Sequence, residues 1–176
     1  MKVIIAEKPS VAQQIAAVVG ATARKDGYIE GGGYAVTWAF GHLVGPAMPE
    51  AYGIEGFKRE NLPILPETFV LEPRRVKSGK EYKPDPGAVK QLAVLKELFS
   101  RTERIVVATD AGREGELIFR FIYHYLDCKT PFDRLWISSL TERAIREGLA
   151  NIRPGSEYDD LYLSARARCE ADWIVG

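Results

Sequence analysis

Cysteine is scarce in this sequence. Cys128 and Cys169 are the only two, far apart and without the spacing of a metal-binding pair. A disulfide framework and a cysteine zinc site are both excluded, and two free thiols in a reducing compartment are expected. Long apolar runs are also missing. No stretch approaches the roughly 18 consecutive apolar residues of a membrane span. The start, Met1-Lys2-Val3-Ile4-Ile5-Ala6-Glu7-Lys8-Pro9, is too short for a signal peptide. No membrane partner and a cytoplasmic location are therefore expected. Neither charge is in excess: 24 Lys plus Arg stand against 24 Asp plus Glu. That balance leaves a nucleic-acid partner open, because a local basic surface on a neutral protein still binds phosphate. Internal repeats and low-complexity segments are absent.

What is present fits an ordinary globular protein. The 176 residues are 46% apolar and 27% charged, enough for one domain, or one domain plus a piece of another. The chain is organised around Ile105 to Glu116. Ile105-Val106-Val107-Ala108 reads as a buried strand. Asp110 and Gly112 turn the chain, and Leu117, Ile118, Phe121, Ile122 and Tyr125 then form a helical stripe. Asp110, Glu114 and Glu116 thus gather where a strand ends and a helix begins, a place for a hard divalent cation. The plainer alternative is that Asp110 caps the helix and Glu116 pairs with Arg120 four residues on.

The first residues have the same form. Val3 to Ala6 is a short apolar run, and Pro9 holds Lys8 in extended geometry. A helix then starts near Ser10, with Val11, Ile15, Val18 and Val19 on one face and Gly20 as its stop. Glu7 and Lys8 lie at a strand's carboxyl end beside a helix N-terminus, where backbone N–H groups and the helix dipole favour phosphate. If the two strands are parallel neighbours, Glu7 and Asp110 meet at one edge of the sheet. A surface salt bridge between Glu7 and Lys8 is the simpler reading of those two.

Tyr28 to Glu30 and Tyr34 to Phe40 read as a hairpin around three glycines, closed by Gly41-His42-Leu43. His42 is either a structural histidine or a contact to phosphate or a catalytic group. Residues 44–66, rich in Pro and Gly, read as a surface excursion, and Phe69 to Glu72 as a short strand. Arg74 to Lys83 is the most basic stretch and holds an aromatic residue, which suits a nucleic-acid backbone or a solvated loop. Gly87 to Ser100 reads as a helix with Val89, Leu92, Leu95, Leu98 and Phe99 inward. Arg134 to Ile137 reads as a strand, and a helix from Ser138 to about Ala150 has Thr141 as a possible N-cap. Residues 156–176 are helical in pattern, with Leu161, Leu163, Ala165, Ala167 and Trp173. The chain stops abruptly within this segment, which reads as a truncation inside a second domain.

A strand ending in Glu, with a later strand ending in Asp followed by Gly and Glu, resembles the Toprim fold of topoisomerases, primases and some nucleases. Four motifs narrow this. Ala6-Glu7-Lys8-Pro9-Ser10, Gly41-His42-Leu43, Ala108-Thr109-Asp110-Ala111-Gly112-Arg113-Glu114-Gly115-Glu116 and Glu170-Ala171-Asp172-Trp173 resemble type IA DNA topoisomerases, most nearly the topoisomerase III group. The resemblance covers the whole chain.

It implies an α/β Toprim fold with a mainly parallel four-stranded sheet between helices over 1–153, and the start of a helical DNA-binding domain over 154–176. It implies an enzyme that cleaves one DNA strand through a 5′-phosphotyrosine, passes another strand and reseals the break, without ATP. Glu7 would act as acid/base at the 3′ oxygen and as a Mg²⁺ ligand. Lys8 would hold the scissile phosphate. Asp110 would be the main Mg²⁺ ligand, and Arg113 and Glu114 would orient the acidic cluster. Lys8, Arg74, Arg75, Lys77, Lys80 and Arg168 are the DNA-binding candidates. Single-stranded DNA and duplexes with single-stranded regions are the implied partners.

Two departures qualify the resemblance. Many members have Asp-x-Asp where this chain has Asp110-Ala111-Gly112, so one ligand is missing. The nucleophilic tyrosine belongs to a later domain: none of Tyr28, Tyr34, Tyr52, Tyr82, Tyr123, Tyr125, Tyr158 or Tyr162 is at a matching position. The 176 residues alone are therefore expected to be inactive. The competing readings are a Toprim nuclease or primase, whose two-metal chemistry needs more carboxylates, and a non-catalytic nucleic-acid-binding Toprim module.

Overall fold

The computed structural model describes residues 1–176. Strand β1 (Lys2–Ala6) leads into helix α1 (Pro9–Val19). Strands β2 (Ala23–Lys25), β3 (Tyr28–Gly31) and β4 (Tyr34–Trp38) form a meander. Short strands β5 (Val44–Pro46) and β6 (Leu71–Pro73) pair across the long loop between them, and β7 (Arg75–Ser78) and β8 (Glu81–Pro84) make a separate hairpin. Then come α2 (Pro86–Ser100), β9 (Ile105–Ala108), α3 (Arg113–Tyr125), β10 (Phe132–Arg134), α4 (Glu142–Ala150), β11 (Arg153–Pro154) and α5 (Asp159–Val175).

The expected four-stranded parallel sheet is the centre of a larger one. In the order β11-β10-β9-β1-β4-β3-β2, the four strands β10, β9, β1 and β4 run parallel, and the outer strands β11, β3 and β2 join through antiparallel pairs. The apolar runs of β1 and β9 follow from burial on both faces. Val3, Ile5, Ile105 and Val107 face the core shared with α2, α3 and α5. Ile4, Ala6, Val106 and Ala108 face the core on the α1 side, where Ile145 of α4 also packs. Gln91 ties α2 to the meander, donating to the carbonyls of Gly27 and Trp38 and to Thr37 Oγ1.

Several local expectations shift. The strand expected at 134–137 lies at Phe132–Arg134, because its partner β9 ends at Ala108 and only Leu135 N–H still reaches the Val107 carbonyl. The next helix begins at Glu142, where Thr141 Oγ1 accepts from Ala144 N–H as an N-cap. Val89 is exposed, since the inward stripe of α2 runs through Ala88, Gln91, Leu92, Leu95, Leu98 and Phe99. Tyr125 at the end of α3 is exposed as well.

Residues 44–66 are not only a surface excursion: Val44, Ala47 and Ile64 are buried. The loop folds around the end of α5. Tyr52, Phe57 and Phe69 meet the Trp173 ring edge-on, and Trp173 Nε1 donates to the Ala47 carbonyl at 3.0 Å. The inward face of α5 is accordingly Tyr162, Ala165, Cys169 and Trp173, whereas Leu163 and Ala167 face solvent.

Candidate functional site

The carboxyl ends of three parallel strands meet at one edge of the sheet. β1 delivers Glu7 and Lys8, β4 leads to Gly41 and His42, and β9 leads to Asp110. Ala6 is in register with Ala108, so the residues after them are neighbours. Glu7 Oε1 accepts a hydrogen bond from Asp110 N–H at 3.2 Å. The expected meeting of Glu7 and Asp110 is thus what the sheet produces. Lys8 is extended at φ −136°, directly before α1, with its side chain exposed.

Glu7 is only 8% exposed. Burial raises its pKa above the ordinary carboxylate range, and the neighbouring Asp110 charge raises it further; Lys8 and the Asp110 N–H act in the opposite direction. Two crowded carboxylates, one buried, are a donor set for one hard cation that keeps most of its water. The donor set ends there, since no group of three or more His, Cys, Asp or Glu side chains converges. The residues fit a single Mg²⁺ held by Glu7 and Asp110, and they do not fit a two-metal centre.

Glu116 does not join the acidic cluster. It is 1% exposed and pairs inward with Arg120 at 3.2 Å and Arg134 at 2.8 Å. The plainer expectation for Glu116 therefore holds, because its position on α3 faces the core. Burial pushes Glu116 up, against the pull of Arg134 and Arg120. The Arg134 contact is an ion pair and not a hydrogen bond, as the Nε–H is not directed at the oxygen.

Arg134 is the supporting residue that sequence reasoning missed. Its guanidinium donates to the carbonyls of Val107 and Asp110, at 3.2 and 2.8 Å, and to Thr109 Oγ1 at 3.1 Å. It thereby holds the turn that presents Asp110. The only signal in the sequence was a charged residue inside a strand. Thr109 Oγ1 donates in turn to the Gly115 carbonyl.

Two glycines shape the same turn. Gly112 has φ +151°, a conformation that L side chains rarely adopt. It stands at the N-cap of α3 without a side-chain cap, so Asp110 does not cap the helix. A Cβ at Gly115 would clash with the Asp110 carbonyl oxygen. The first turn of α3 approaches the Asp110 backbone closely because position 115 has no side chain.

Arg113 and Glu114 line an adjacent groove of about 690 Å³ with His42, Arg74, Arg168 and Asp172, over an apolar floor that includes Leu117 and Phe121. Glu114 hydrogen-bonds His42 Nε2, which gives His42 a partner in the site. Glu7, Lys8 and Asp110 are not part of the groove lining; the groove begins at the first turn of α3.

The DNA-binding candidates divide. Arg74 and Arg168 share this groove with Arg113. Arg74 is also bound to Asp85 Oδ2 and to the Phe40 carbonyl. Arg75 is held by Glu72. Lys77 and Lys80 are exposed on the β7–β8 hairpin and do not line the groove.

Comparisons with known proteins agree with this architecture. The Toprim domain family model matches residues 2–140. The chain is 48% identical to a DNA topoisomerase 3 of Bacillus cereus over 177 aligned residues, which is 99% of this chain and 23% of that protein. It is equally 48% identical to a DNA topoisomerase 3 of Bacillus subtilis, again over 99% of this chain and 23% of the relative. The chain thus spans about a quarter of the length of these relatives. The solved structure of full-length topoisomerase I from Thermotoga maritima superposes with a TM-score of 0.51 at 26% identity, covering 86% of this chain and 21% of that one. With its parallel strands ending in Glu7 and Asp110 and a family match over most of its length, this DNA topoisomerase 3-like chain belongs to the Toprim domain family.

Proposed function

We propose that the chain is the metal- and phosphate-handling part of a type IA DNA topoisomerase of the topoisomerase III kind, acting on single-stranded DNA and on duplexes with single-stranded regions, without ATP. The observation that carries this reading is the Glu7–Asp110 pair at adjoining parallel strand ends, with Lys8 at the N-terminus of α1 beside it. Similarity to DNA topoisomerase 3 proteins along 99% of the chain supports it.

In this reading a tyrosine outside residues 1–176 attacks a backbone phosphate. Its oxygen–phosphorus bond forms as the bond to the 3′ oxygen breaks, which keeps the phosphodiester energy for resealing. Lys8 binds the phosphate as a point charge. Glu7, buried and raised in pKa, gives a proton to the departing 3′ oxygen and takes it back on resealing. Glu7 and Asp110 would hold Mg²⁺, which would supply stabilisation of negative charge on the phosphate. Arg113 and Glu114, with Arg74 and Arg168, act on the strand in the groove. Residues 154–176 begin the next, helical domain, and Cys128 and Cys169 suit a cytoplasmic setting.

The test is strand cleavage by the full-length protein on a labelled single-stranded oligonucleotide with Mg²⁺. Covalent protein–DNA product that Glu7→Gln abolishes is the expected result. Free strand ends with no covalent product would point to a nuclease. Undiminished activity in both Glu7→Gln and Asp110→Asn would leave only a binding module.

A further inference from the structure

The β7–β8 hairpin is unexplained by the site. It pairs only with itself, as a two-stranded ribbon. Its two-residue loop is Gly79-Lys80, with Gly79 at φ +64°. Its base is fastened: Asp85 N–H donates to the Arg74 carbonyl at 2.7 Å, and Arg74 donates to Asp85 Oδ2 from Nε and from a terminal nitrogen, at 3.0 and 2.8 Å. Asp85 also caps α2 through Gly87 N–H. A pair of short strands that buries no core of its own is marginal in water, and this anchorage gives it a fixed base.

The ribbon sorts its side chains by face. Residues directly opposite in an antiparallel pair share a face, as do alternate residues along a strand. Arg75 opposes Pro84 and Lys77 opposes Tyr82, so one face carries Arg75, Lys77, Tyr82 and Pro84. The single acid of the ribbon, Glu81, opposes Ser78 on the other face with Lys83 and Val76. Tyr82 is 65% exposed, and Lys77 and Lys80 form no ion pair in the structure. That face therefore offers a bare aromatic ring directly opposite an unpaired lysine, Lys77, with unpaired Lys80 in the turn beyond it. Arg74, which lines the groove, immediately precedes β7 and alternates to the other face of the ribbon.

We propose that this face is a second docking surface for single-stranded DNA, with Tyr82 as a stacking platform for a base and Lys77 and Lys80 as phosphate contacts. The inference rests on the proposed function for the identity of the nucleic acid. Stacking on an exposed aromatic is tolerant of base identity, and the flanking cations track the backbone.

The test uses full-length protein without Mg²⁺ and measures affinity for oligothymidines of increasing length. Tyr82→Ala should weaken binding about five-fold or more for long strands and leave the shortest bound strand unchanged. Tyr82→Phe, which keeps the ring, should bind as the wild type does. Lys77→Gln with Lys80→Gln should reduce the salt slope by about 1.4, from two phosphate contacts on a single strand. Variants that match the wild type at every length would overturn the ribbon surface alone. A wild type that binds no single strand would overturn the DNA reading together with it. Equal losses on duplex and single strand would overturn the stacking role.

Discussion

Glu7 accepts a hydrogen bond from the backbone N–H of Asp110 at 3.2 Å, across 103 positions of sequence. The bond locks the ends of β1 and β9 together and sets two carboxylates side by side. Their mutual repulsion is what a divalent cation relieves.

Mg²⁺ should accordingly bind at this edge. Calorimetric titration of the full-length protein should give one saturable site that Asp110→Asn weakens by about ten-fold or more, since ligand charge governs affinity for a hard cation. Glu114→Gln, whose carboxylate pairs with His42, should leave the affinity nearly unchanged. Equal loss in both variants would argue against a site made of Glu7 and Asp110.

Arg134 should prove structural and positional together. Arg134→Ala leaves Glu116 buried with one partner fewer and frees the Asp110 carbonyl. Breaking a buried pair in this way costs about 3–5 kcal/mol. Urea unfolding would read the loss, and a change below about 1 kcal/mol would mean that the pair is bypassed by water.

The Asp-x-Gly turn should resist conversion to Asp-x-Asp. Gly112→Asp puts a side chain at φ +151°, with strain of about 1–3 kcal/mol. Mg²⁺ affinity should not rise; tighter binding in this variant would show that the turn rearranges freely. Gly115→Ala should destabilise although alanine is the better helix former by roughly 1 kcal/mol, because its Cβ meets the Asp110 carbonyl.

Asp85 should shape the acid side of the stability profile. The hydrogen bond from Arg74 is the main cause that holds its pKa below 3.8. The folded state therefore binds this proton less readily than the unfolded chain. The stability it contributes is complete above 3.8 and is lost as pH falls through the lower folded value. Asp85→Asn should flatten that limb of the urea midpoint plotted against pH; an unchanged limb would place the acid sensitivity elsewhere.

Much of the site was legible in the residues. Val3 to Ala6 and Ile105 to Ala108 are continuous apolar runs, which only strands covered on both faces require. Each is followed by a turn and an amphipathic helix, which places Glu7, Lys8 and Asp110 at carboxyl ends from the sequence alone. Local periodicity carries that information because strand and helix periods are properties of neighbouring residues. Periodicity could not tell that Glu116 points inward while Glu114 points to His42, since both are acids in one helical turn.

The identity and order of the strand-end residues follow from local geometry and so are written in the residues themselves. Their neighbours depend on how the strands and helices pack. Strand order brought Glu7 to Asp110, burial paired Glu116 with Arg134, and the close approach of α3 made Gly115 a requirement. Those outcomes depend on contacts between segments far apart in the chain, where desolvation and packing select the partner and no local pattern records the choice.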